Sequence, residues 1–475
     1  MTRGPLPADF RLELDPAVRA VDDGAVLCGG SPLRLLRLTD GGRRLLGRLA
    51  AGEAVPPTGG AQRLVRRLLG AGMAHPRPGA SPFTPDDVTA VVPTHDRAGP
   101  LARTLESLGR VGRIIVVDDG SADPAATEAV ALEAGADLIR HDRSLGPGVA
   151  RDTGWGMASS AIVAFVDADC EADDGWLEPL LAHFADPDVA AVAPRVVSRA
   201  DDGWVAAYET VRSPLDMGER PGPARPKSWV PYVPTAALIV RRAALVEQGG
   251  FDRQLRYGED VDLVWRLVEA GWTIRYEPNV VVTHPPRDDV RAWLGQRFAY
   301  GTSAAPLARR HRRAAAPLAV SVWSALAWLL AGLGFRKTAV ALAGGTTALL
   351  VPKLRGISRP GVEAARLAGL GHLYAGRSVA DAVRRAWWPI AIVAALASRR
   401  ARRAAVIVAT VPPLVEWWQR RPPLDPVRWS AARLADDVAY GAGVWVGCVR
   451  ERDASALVPD LANWPGRRAA VEAPG

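Results

Sequence analysis

The sequence predicts an α/β protein whose central domain contains a doubly wound, mostly parallel sheet. Three short apolar runs, at 88–94, 113–117 and 163–166, each end in polar residues, and helix-forming segments separate them. Strands that alternate with helices in this way are typical of a parallel sheet. Such sheets bind ligands beyond the carboxyl ends of their strands. We therefore expect the functional residues to follow these runs directly.

The run that leads into Asp167 and Asp169 carries the strongest functional signal. Because side chains alternate between the two faces of a strand, carboxylates one residue apart can point the same way. A buried pair of carboxylates repels itself unless a cation or a donor compensates it. Hard divalent cations bind one or two carboxylates together with substrate phosphates. A strand that ends in a solvated acidic loop is the alternative interpretation.

Five motifs, in this order along the chain, resemble those of the nucleotide-sugar glycosyltransferases of family 2, which have the GT-A fold. The motifs are V-V-P-T-H-D-R (91–97), V-V-D-D-G-S (116–121), G-P-G-V-A-R-D (146–152), V-D-A-D (166–169) and Y-G-E-D-V-D-L-V-W-R (257–266). The resemblance covers roughly residues 86–300. It implies a GT-A catalytic domain over residues 81–305 and an enzyme that uses a UDP-sugar donor.

The resemblance also implies a binding site for the nucleotide. Pro93, His95 and Asp119 would line the uracil site, with Asp118 beside them, and the Asp119 carboxylate would accept the uracil N–H. Asp118 and Asp119 can instead simply cap the loop before Ser121. Most relatives carry tyrosine or phenylalanine where His95 stands, so the stacking face of the imidazole is smaller.

Arg151 follows a glycine pair at the start of a predicted helix, where free backbone N–H groups favour anions. It is expected to reach the base or the diphosphate, although a surface arginine is the common alternative. By resemblance, Asp169 would bind Mg²⁺ or Mn²⁺, and Asp167 would be its partner nearer the ribose. His284 would be a third ligand, but a lone histidine at a strand end is more often an ordinary hydrogen-bonding residue.

An acidic pair, Glu259 and Asp260, comes immediately before a predicted helix over 261–270. Carboxylates stabilise a helix N-terminus, so capping is one interpretation of this pair. In the family that the motifs resemble, the aspartate of this pair is the general base of inverting transfer. Asp260 would then take the proton of the acceptor hydroxyl. Gln296 and Arg297 stand where processive relatives carry an acceptor motif, but their spacing matches that motif only in part.

Two further regions flank the catalytic domain. Residues 1–80 combine short strands with two helices and resemble the winged-helix peptide-recognition domains of peptide-modifying pathways; an accessory domain that does not bind substrate is the alternative. The Pro-rich stretch 75–85 is predicted to be a linker. Residues 306–475 are predicted to be helical, and 314–335 is uncharged over the ~20 residues that a bilayer span requires. A soluble helical domain is the alternative for this region.

Charge and cysteine content indicate where in the cell the protein is located and what it binds. The net charge is +8, and arginine clusters at 309–313, 399–403 and 420–421 flank apolar segments, which favours anionic lipid headgroups over nucleic acid as the partner. Three scattered cysteines suggest neither a disulfide framework nor a zinc site. No apolar segment of signal-peptide length opens the sequence. We therefore expect the protein at the cytoplasmic face of the cell membrane, integral or peripheral, or alternatively in the cytoplasm.

The order of domains and the character of the tail resemble the mycofactocin-system glycosyltransferases, which build a β-linked glucose chain on a peptide-derived redox cofactor. This resemblance implies UDP-glucose as the donor, an inverting mechanism and a peptide-derived acceptor. Two other functions stay open. The first is transfer to a polyprenyl phosphate or another lipid at the membrane, and the second is a non-catalytic scaffold that presents a peptide to other enzymes.

Overall fold

The computed structural model describes residues 3–287 and 289–462. It contains two compact units, Met1–Pro286 and Arg287–Gly475. The first unit holds the strands and acidic motifs of the sequence analysis, and the described part of the second unit is mostly helical.

The first unit begins with a small α/β region. Its elements are β1 Arg11–Leu14, β2 Arg19–Val21, β3 Val26–Gly29, β4 Arg34–Arg37, α1 Asp40–Ala50, α2 Gly59–Ala71 and β5 Ala74–Arg77. Strands β2, β3 and β4 form an antiparallel sheet with β4 at one edge. Thr39 caps α1, as its residue type predicts, because its hydroxyl accepts a 3.2 Å hydrogen bond from the backbone N–H of Gly42.

The predicted linker is partly wrong. Its first residues belong to β5, which pairs with β1 so that His75 lies opposite Glu13. The buried ring of His75 also contacts Asp15, with 2.9 Å between Nε2 and Oδ2. Proline is tolerated on edge strands, so a Pro-rich composition did not exclude a strand here.

The rest of the first unit is built on a nine-stranded sheet with helices between its strands. In chain order the elements are β6 Val88–Thr94, α3 Ala98–Ser107, β7 Arg113–Asp118, α4 Pro124–Glu133, β8 Asp137–Arg140, α5 Pro147–Gly156, β9 Ile162–Val166, β10 Glu171–Ala172, α6 Leu177–Leu181, β11 Val189–Ser198, α7 Trp204–Arg212, β12 Gly222–Pro223, β13 Ala237–Arg241, α8 Arg242–Gln248, α9 Glu259–Glu269 and β14 Thr273–His284. The strand order is β10-β14-β11-β13-β9-β6-β7-β8, and β12 pairs with β14.

The α/β class is confirmed, but the sheet is mixed rather than mostly parallel. Strands β6 to β9 are mutually parallel, as predicted. Strand β13 runs antiparallel to both β9 and β11, and β10 and β12 run antiparallel to β14. A fully buried apolar strand looks the same in sequence whichever way it runs, so the apolar runs revealed the strands and not their directions.

Two glycines fix the backbone around the carboxyl edge of the sheet. Gly154 lets α5 approach the sheet closely, since a Cβ there would lie 2.3 Å from the side chain of Val91. Gly120 has φ +75°, and a Cβ there would lie 2.5 Å from the carbonyl carbon of Arg143. The chain around Arg143 therefore packs directly against the turn that follows β7.

The second unit is a set of helices with two short paired strands. Its elements are α10 Val290–Thr302, α11 Ala304–His311, β15 Ala319–Ser321, α12 Val322–Gly332, α13 Arg336–Leu350, α14 Pro360–Arg385, α15 Trp388–Ala397, α16 Arg399–Arg420, α17 Pro426–Glu451 and β16 Asp460–Ala462. Helices α10 and α17 pack against each other, and β15 pairs in parallel with β16.

The uncharged segment 314–335 does not form the single long helix that a bilayer span requires. A 3₁₀ turn, β15 and α12 divide it. Pro317 lies before β15 and cannot donate a helical hydrogen bond, and the Ser321 hydroxyl starts α12 anew by accepting from the backbone N–H of Trp323 at 3.3 Å. Among the described residues, no helix is both long and apolar enough to cross a membrane.

Candidate functional site

The candidate site lies at the carboxyl edge of the parallel half of the sheet. Strands β6, β7 and β9 end there at Thr94, Asp118 and Val166. The first turn of α9, which carries Glu259 and Asp260, lies at the same edge. Arg151 of α5 contacts both Glu259 and Asp167, the residue that follows β9. The acidic motifs, which are nearly a hundred residues apart in sequence, therefore meet in one cluster, as the ligand-binding rule for such sheets predicts.

Arg151 is the centre of this cluster. Its side chain is almost fully buried, and it donates to Asp167 Oδ1 at 2.6 Å and to Glu259 Oε1 at 2.9 Å. The guanidinium also lies 5.8 Å from the centre of the Phe251 ring. Burial works against the charge, but the two carboxylates outweigh it and raise the pKa of Arg151 above its usual value. The arginine is thus a permanent buried cation and not a surface residue.

The two carboxylates at the start of α9 differ in their surroundings. Burial raises the pKa of Glu259 even though Arg151 works in the opposite direction. Asp260 is paired with no side chain in the described residues; its Oδ1 accepts only from the backbone N–H of Val261, at 2.8 Å. Burial, together with the charge of Glu259, raises the pKa of Asp260 to about 7. A carboxylate with that pKa can accept a proton near neutral pH.

Asp169 contacts other side chains than Asp167 does. Its Oδ2 accepts from Arg97 Nη1 at 2.6 Å, and its Oδ1 lies 3.5 Å from His284 Nε2. His284 is the last residue of β14, which pairs with β10 just beyond the D-x-D motif. The described residues contain no group of three His, Cys, Asp or Glu side chains that could hold a metal ion. The structure therefore brings Asp169 and His284 together and directs Asp167 to Arg151.

Asp119 organises the loop that follows β8. Its Oδ1 accepts from His141 Nδ1 at 2.7 Å and from the backbone N–H of Leu145 at 2.9 Å, and its Oδ2 accepts from Ser144 and the backbone N–H of Gly146. Burial alone would raise the pKa of Asp119, but these four donors hold it below its usual value. Its neighbour Asp118 accepts from the backbone N–H of Ser121 and pairs with Arg140.

His95 contacts the turn that follows β7, and Pro93 lies on β6 opposite Val117 and is half-buried. The His95 side chain is 49% exposed, and its Nδ1 lies 2.9 Å from the backbone oxygen of Asp119. One face of the imidazole is therefore available to a ligand. The roles of Pro93, His95 and Asp119 in binding a base stay predictions.

An open cavity of about 110 Å³ lies beside the same loop. It is lined by the start of α5 and by the segment before α9, which contributes Arg253 and Arg256. The first turn of a helix and two arginines make this lining positive, which suits an anionic ligand.

Three features of the cluster were missed by sequence reasoning. They are the pairing of Arg97 with Asp169, the contact between Arg151 and Glu259, and the role of His141 in holding Asp119. For the pairing of Arg97 with Asp169, the one signal in the sequence was the presence of Arg97 in the V-V-P-T-H-D-R motif. The other two depend on tertiary packing.

Gln296 and Arg297 belong to the second compact unit. Arg297 is almost fully buried, and its Nε lies 3.2 Å from Asp436 Oδ1. Gln296 accepts from Arg297 at 3.0 Å and donates to the Tyr300 hydroxyl at 3.1 Å. Within their own unit, both side chains are held by neighbouring residues, and an acceptor role for them stays a prediction.

The family model and the known proteins that this chain resembles are all glycosyltransferases. Residues 89–247 match the family model described as Glycosyl transferase family 2. Over 475 aligned residues the chain is 42% identical to a pre-mycofactocin glycosyltransferase of Mycobacterium tuberculosis (strain CDC 1551 / Oshkosh), and the alignment covers 97% of this chain and 100% of that protein. The glycosyltransferase AglE of Haloferax volcanii is 26% identical over 209 residues, which is 42% of this chain and 67% of that protein.

One solved structure also resembles this chain, at a lower sequence identity than these relatives. It is the mannosyltransferase PcManGT from Pyrobaculum calidifontis in complex with GDP-Man and Mn²⁺, with a TM-score of 0.44 and 19% sequence identity. The superposition covers 77% of this chain and 90% of that chain.

Replacing Arg151 with methionine is expected to destabilise the fold strongly. Removing one partner of a buried ion pair costs about 3–5 kcal/mol, because the other charge is left uncompensated. Glu259 would remain buried with a pKa above its unfolded value, so protonation at acid pH relieves the loss. The loss of unfolding free energy should therefore be larger near pH 8 than near pH 5, as measured by urea unfolding at both pH values.

Arg97→Met is the matched control for this experiment, because it also removes an arginine from an aspartate of the D-x-D motif. The Arg97 side chain is 41% exposed, so its loss should cost no more than about 1 kcal/mol. Equal losses in the two variants would contradict a central role for Arg151.

Proposed function

This chain belongs to the family 2 glycosyltransferases of the mycofactocin system, and from that premise we propose that it transfers glucose from UDP-glucose with inversion at the anomeric carbon. The acceptor that we propose is a peptide-derived redox cofactor. The single observation that carries the mechanism is the pair of carboxylates at the start of α9. One of them, Glu259, is held by Arg151, and the other, Asp260, has a pKa raised to about 7.

The donor is proposed to bind across the carboxyl edge of β6 and β7. The exposed face of His95 offers a surface against which uracil can stack, and Asp119 holds the adjoining loop in place. The cavity lined by the start of α5, Arg253 and Arg256 supplies positive charge for a diphosphate. Since four donors already use the Asp119 carboxylate, we infer that it shapes the base site more than it reads the base.

A divalent cation, Mg²⁺ or Mn²⁺, is proposed as the cofactor. The nearby oxygen of Asp169 and nitrogen of His284 form a donor set that suits Mn²⁺, and substrate phosphate oxygens would complete it. When bound, such an ion offsets the negative charge on the departing diphosphate. Asp167 is proposed to contribute by fixing Arg151.

Proton transfer is assigned to Asp260. In the proposed reaction an acceptor hydroxyl oxygen forms a bond with the anomeric carbon, the bond from that carbon to UDP breaks, and the hydroxyl proton passes to Asp260. Glu259 is less suited to this role because Arg151 occupies its carboxylate. Attack from the side opposite the leaving group accounts for the proposed inversion.

Residues 1–80 are proposed to bind the peptide part of the acceptor. Strand β4 lies at an edge of its sheet, and Leu33 and Leu35, two residues apart, expose their side chains there. An extended peptide can add to such an edge through main-chain hydrogen bonds, while apolar side chains give specificity. The winged-helix-like character of this region is part of the same proposal.

The protein is further proposed to work at the cytoplasmic face of the cell membrane. Large apolar side chains are exposed on several helices of the second unit, close to arginine clusters. A lipid-linked acceptor such as a polyprenyl phosphate is the second candidate, because the same surface favours it. A non-catalytic scaffold is disfavoured, since it would not require a buried acidic cluster built around Arg151.

Asp260→Asn is expected to lower kcat by about 10²–10⁴-fold with little change in the KM for UDP-glucose, because it removes the proton acceptor and leaves the donor site intact. The measurement is release of UDP with purified protein, Mn²⁺ and the peptide-derived acceptor. Glu133→Gln, at an exposed carboxylate on α4, is the control and should retain full activity. An unchanged kcat in Asp260→Asn would refute the assignment.

The same assignment predicts the pH dependence of kcat/KM. A general base must be deprotonated, and the pKa of Asp260 is raised to about 7 by burial and by Glu259. Activity should therefore fall about tenfold per pH unit below pH 7 and level off above it. The acid limb should disappear from the residual activity of Asp260→Asn.

Removal of divalent ions with a chelator is expected to abolish transfer, and Mn²⁺ should restore it. Titration calorimetry gives a second readout: in the presence of UDP, Asp169→Asn should weaken Mn²⁺ binding by at least about tenfold. Asp174→Asn, at an exposed carboxylate just after β10, should bind Mn²⁺ like the wild type. Equal Mn²⁺ affinities in all three proteins would rule out Asp169 as a ligand.

Leu35→Glu is expected to raise the KM for the peptide-derived acceptor about tenfold, because it places a charge in the proposed apolar contact. The KM for UDP-glucose and the value of kcat should not change. Val246→Glu, at an exposed valine on α8, tests whether any new surface charge has this effect. An unaltered acceptor KM in Leu35→Glu would exclude the β4 edge as the peptide site.

A further inference from the structure

Helix α15 is an apolar helix that the rest of its unit barely covers. Its ten residues, W-P-I-A-I-V-A-A-L-A, include no charged residue, and none of its side chains is buried. Ile390, Val393 and Leu396 are all exposed, and Leu396 reaches 77%. Only one side of the helix, including Ala391 and Ala395, is partly covered. Exposed apolar surface of this extent marks an interaction site.

Helix α16 follows α15 after a one-residue connection and also exposes apolar side chains. Its exposed side chains include Ile407, Val411, Leu414 and Trp418. These positions recur at intervals of three and four residues, so they form a single stripe along one face of the helix. The only acidic residue of α16, Glu416, is buried and paired with Arg433. The exposed stripe therefore carries no negative charge.

The end of α12 meets the start of α16. Arg400 Nη1 lies 3.4 Å from the backbone oxygen of Leu333, and both Leu333 and Phe335 are exposed. Six cations lie within four residues of Leu333 or Arg400 in the sequence, and in the described part of the chain no carboxylate is paired with any of them: Arg336, Lys337, Arg399, Arg400, Arg402 and Arg403. We call these cations and the exposed side chains of α15, of α16 and of the end of α12 the apolar–basic face.

We propose that the apolar–basic face docks onto an anionic membrane surface, with α15 lying in the headgroup region and the six cations against lipid phosphates. This inference rests on the membrane location proposed above and names the elements that make the contact. Apolar side chains next to arginines are the two features that bind a helix into the plane of such an interface. A ten-residue helix is about 15 Å long, half of the ~30 Å hydrocarbon core, so α15 suits a position in the interface.

A second copy of the chain fits this face less well. Self-association through the face would bring two clusters of six unpaired cations together, and like charges oppose such contacts. Attraction to anionic headgroups instead raises the membrane affinity of the protein by about fivefold for each cation. Charge complementarity therefore favours the lipid surface.

Cosedimentation of the full chain with vesicles tests the proposal. The protein should bind mixed phosphatidylcholine–phosphatidylserine vesicles, bind pure phosphatidylcholine weakly, and dissociate as salt is raised. Leu396→Asp should weaken binding at least about tenfold, because it removes a leucine from the apolar contact. Leu132→Asp on α4 is the matched control, since Leu132 is 78% exposed but lies in the first unit, and it should bind like the wild type. Combined replacement of Arg399, Arg400, Arg402 and Arg403 by glutamine should weaken binding at least about 100-fold.

Any one of the following results would overturn the proposal. They are no binding of the wild type to the mixed vesicles, equal binding of Leu396→Asp and Leu132→Asp, and a dimer in sedimentation that Leu396→Asp dissociates. Binding to a short DNA duplex as tightly as to the mixed vesicles would equally contradict it. Because binding is measured without donor or acceptor, Asp260→Asn should bind vesicles like the wild type. Failure of the docking proposal is thereby separated from failure of the proposed function.

Discussion

The buried ion pairs of Arg151 are the interaction on which the catalytic cluster depends. One guanidinium joins α5, the loop after β9 and the first turn of α9. Without a cation in that position, Asp167, Glu259 and Asp260 would be three carboxylates crowded together, and their repulsion would force protonation or separation. Gly154 lets α5, the helix that carries Arg151, lie close to the sheet, because a Cβ there would collide with Val91.

The same arginine binds only the first aspartate of the D-x-D motif among the described residues. Asp167 is paired with Arg151, whereas Asp169 is the carboxylate that faces His284, so the two aspartates contact different side chains. The pairing of β10 with β14 holds this second position, since it fixes His284 beside the chain that follows Asp169. The sheet thus positions Asp167 against a buried arginine and Asp169 against a histidine.

Sequence patterns revealed the strands of the first unit and the acidic motifs at their ends, because apolar runs and polar loops are local properties. They did not reveal strand direction, so the antiparallel β13 was missed. Nor did they reveal partners that only packing brings together, such as Arg97 with Asp169 or Asp119 with His141. In the second unit an uncharged segment suggested one long helix, but Pro317 and the new cap at Ser321 divide it.

The choice between the two carboxylates of α9 follows from their partners. Glu259 is the more fully buried residue, yet a proton acceptor must have a free oxygen, and its carboxylate is bound by Arg151. Within the described residues, Asp260 has only the backbone N–H of Val261 as a donor, while the charge of Glu259 adds to burial in raising its pKa to about 7. Arg151 therefore acts on both carboxylates, because its charge lowers the pKa of each. Burial and the charge of Glu259 outweigh this effect at Asp260 and make it a stronger base than an isolated aspartate.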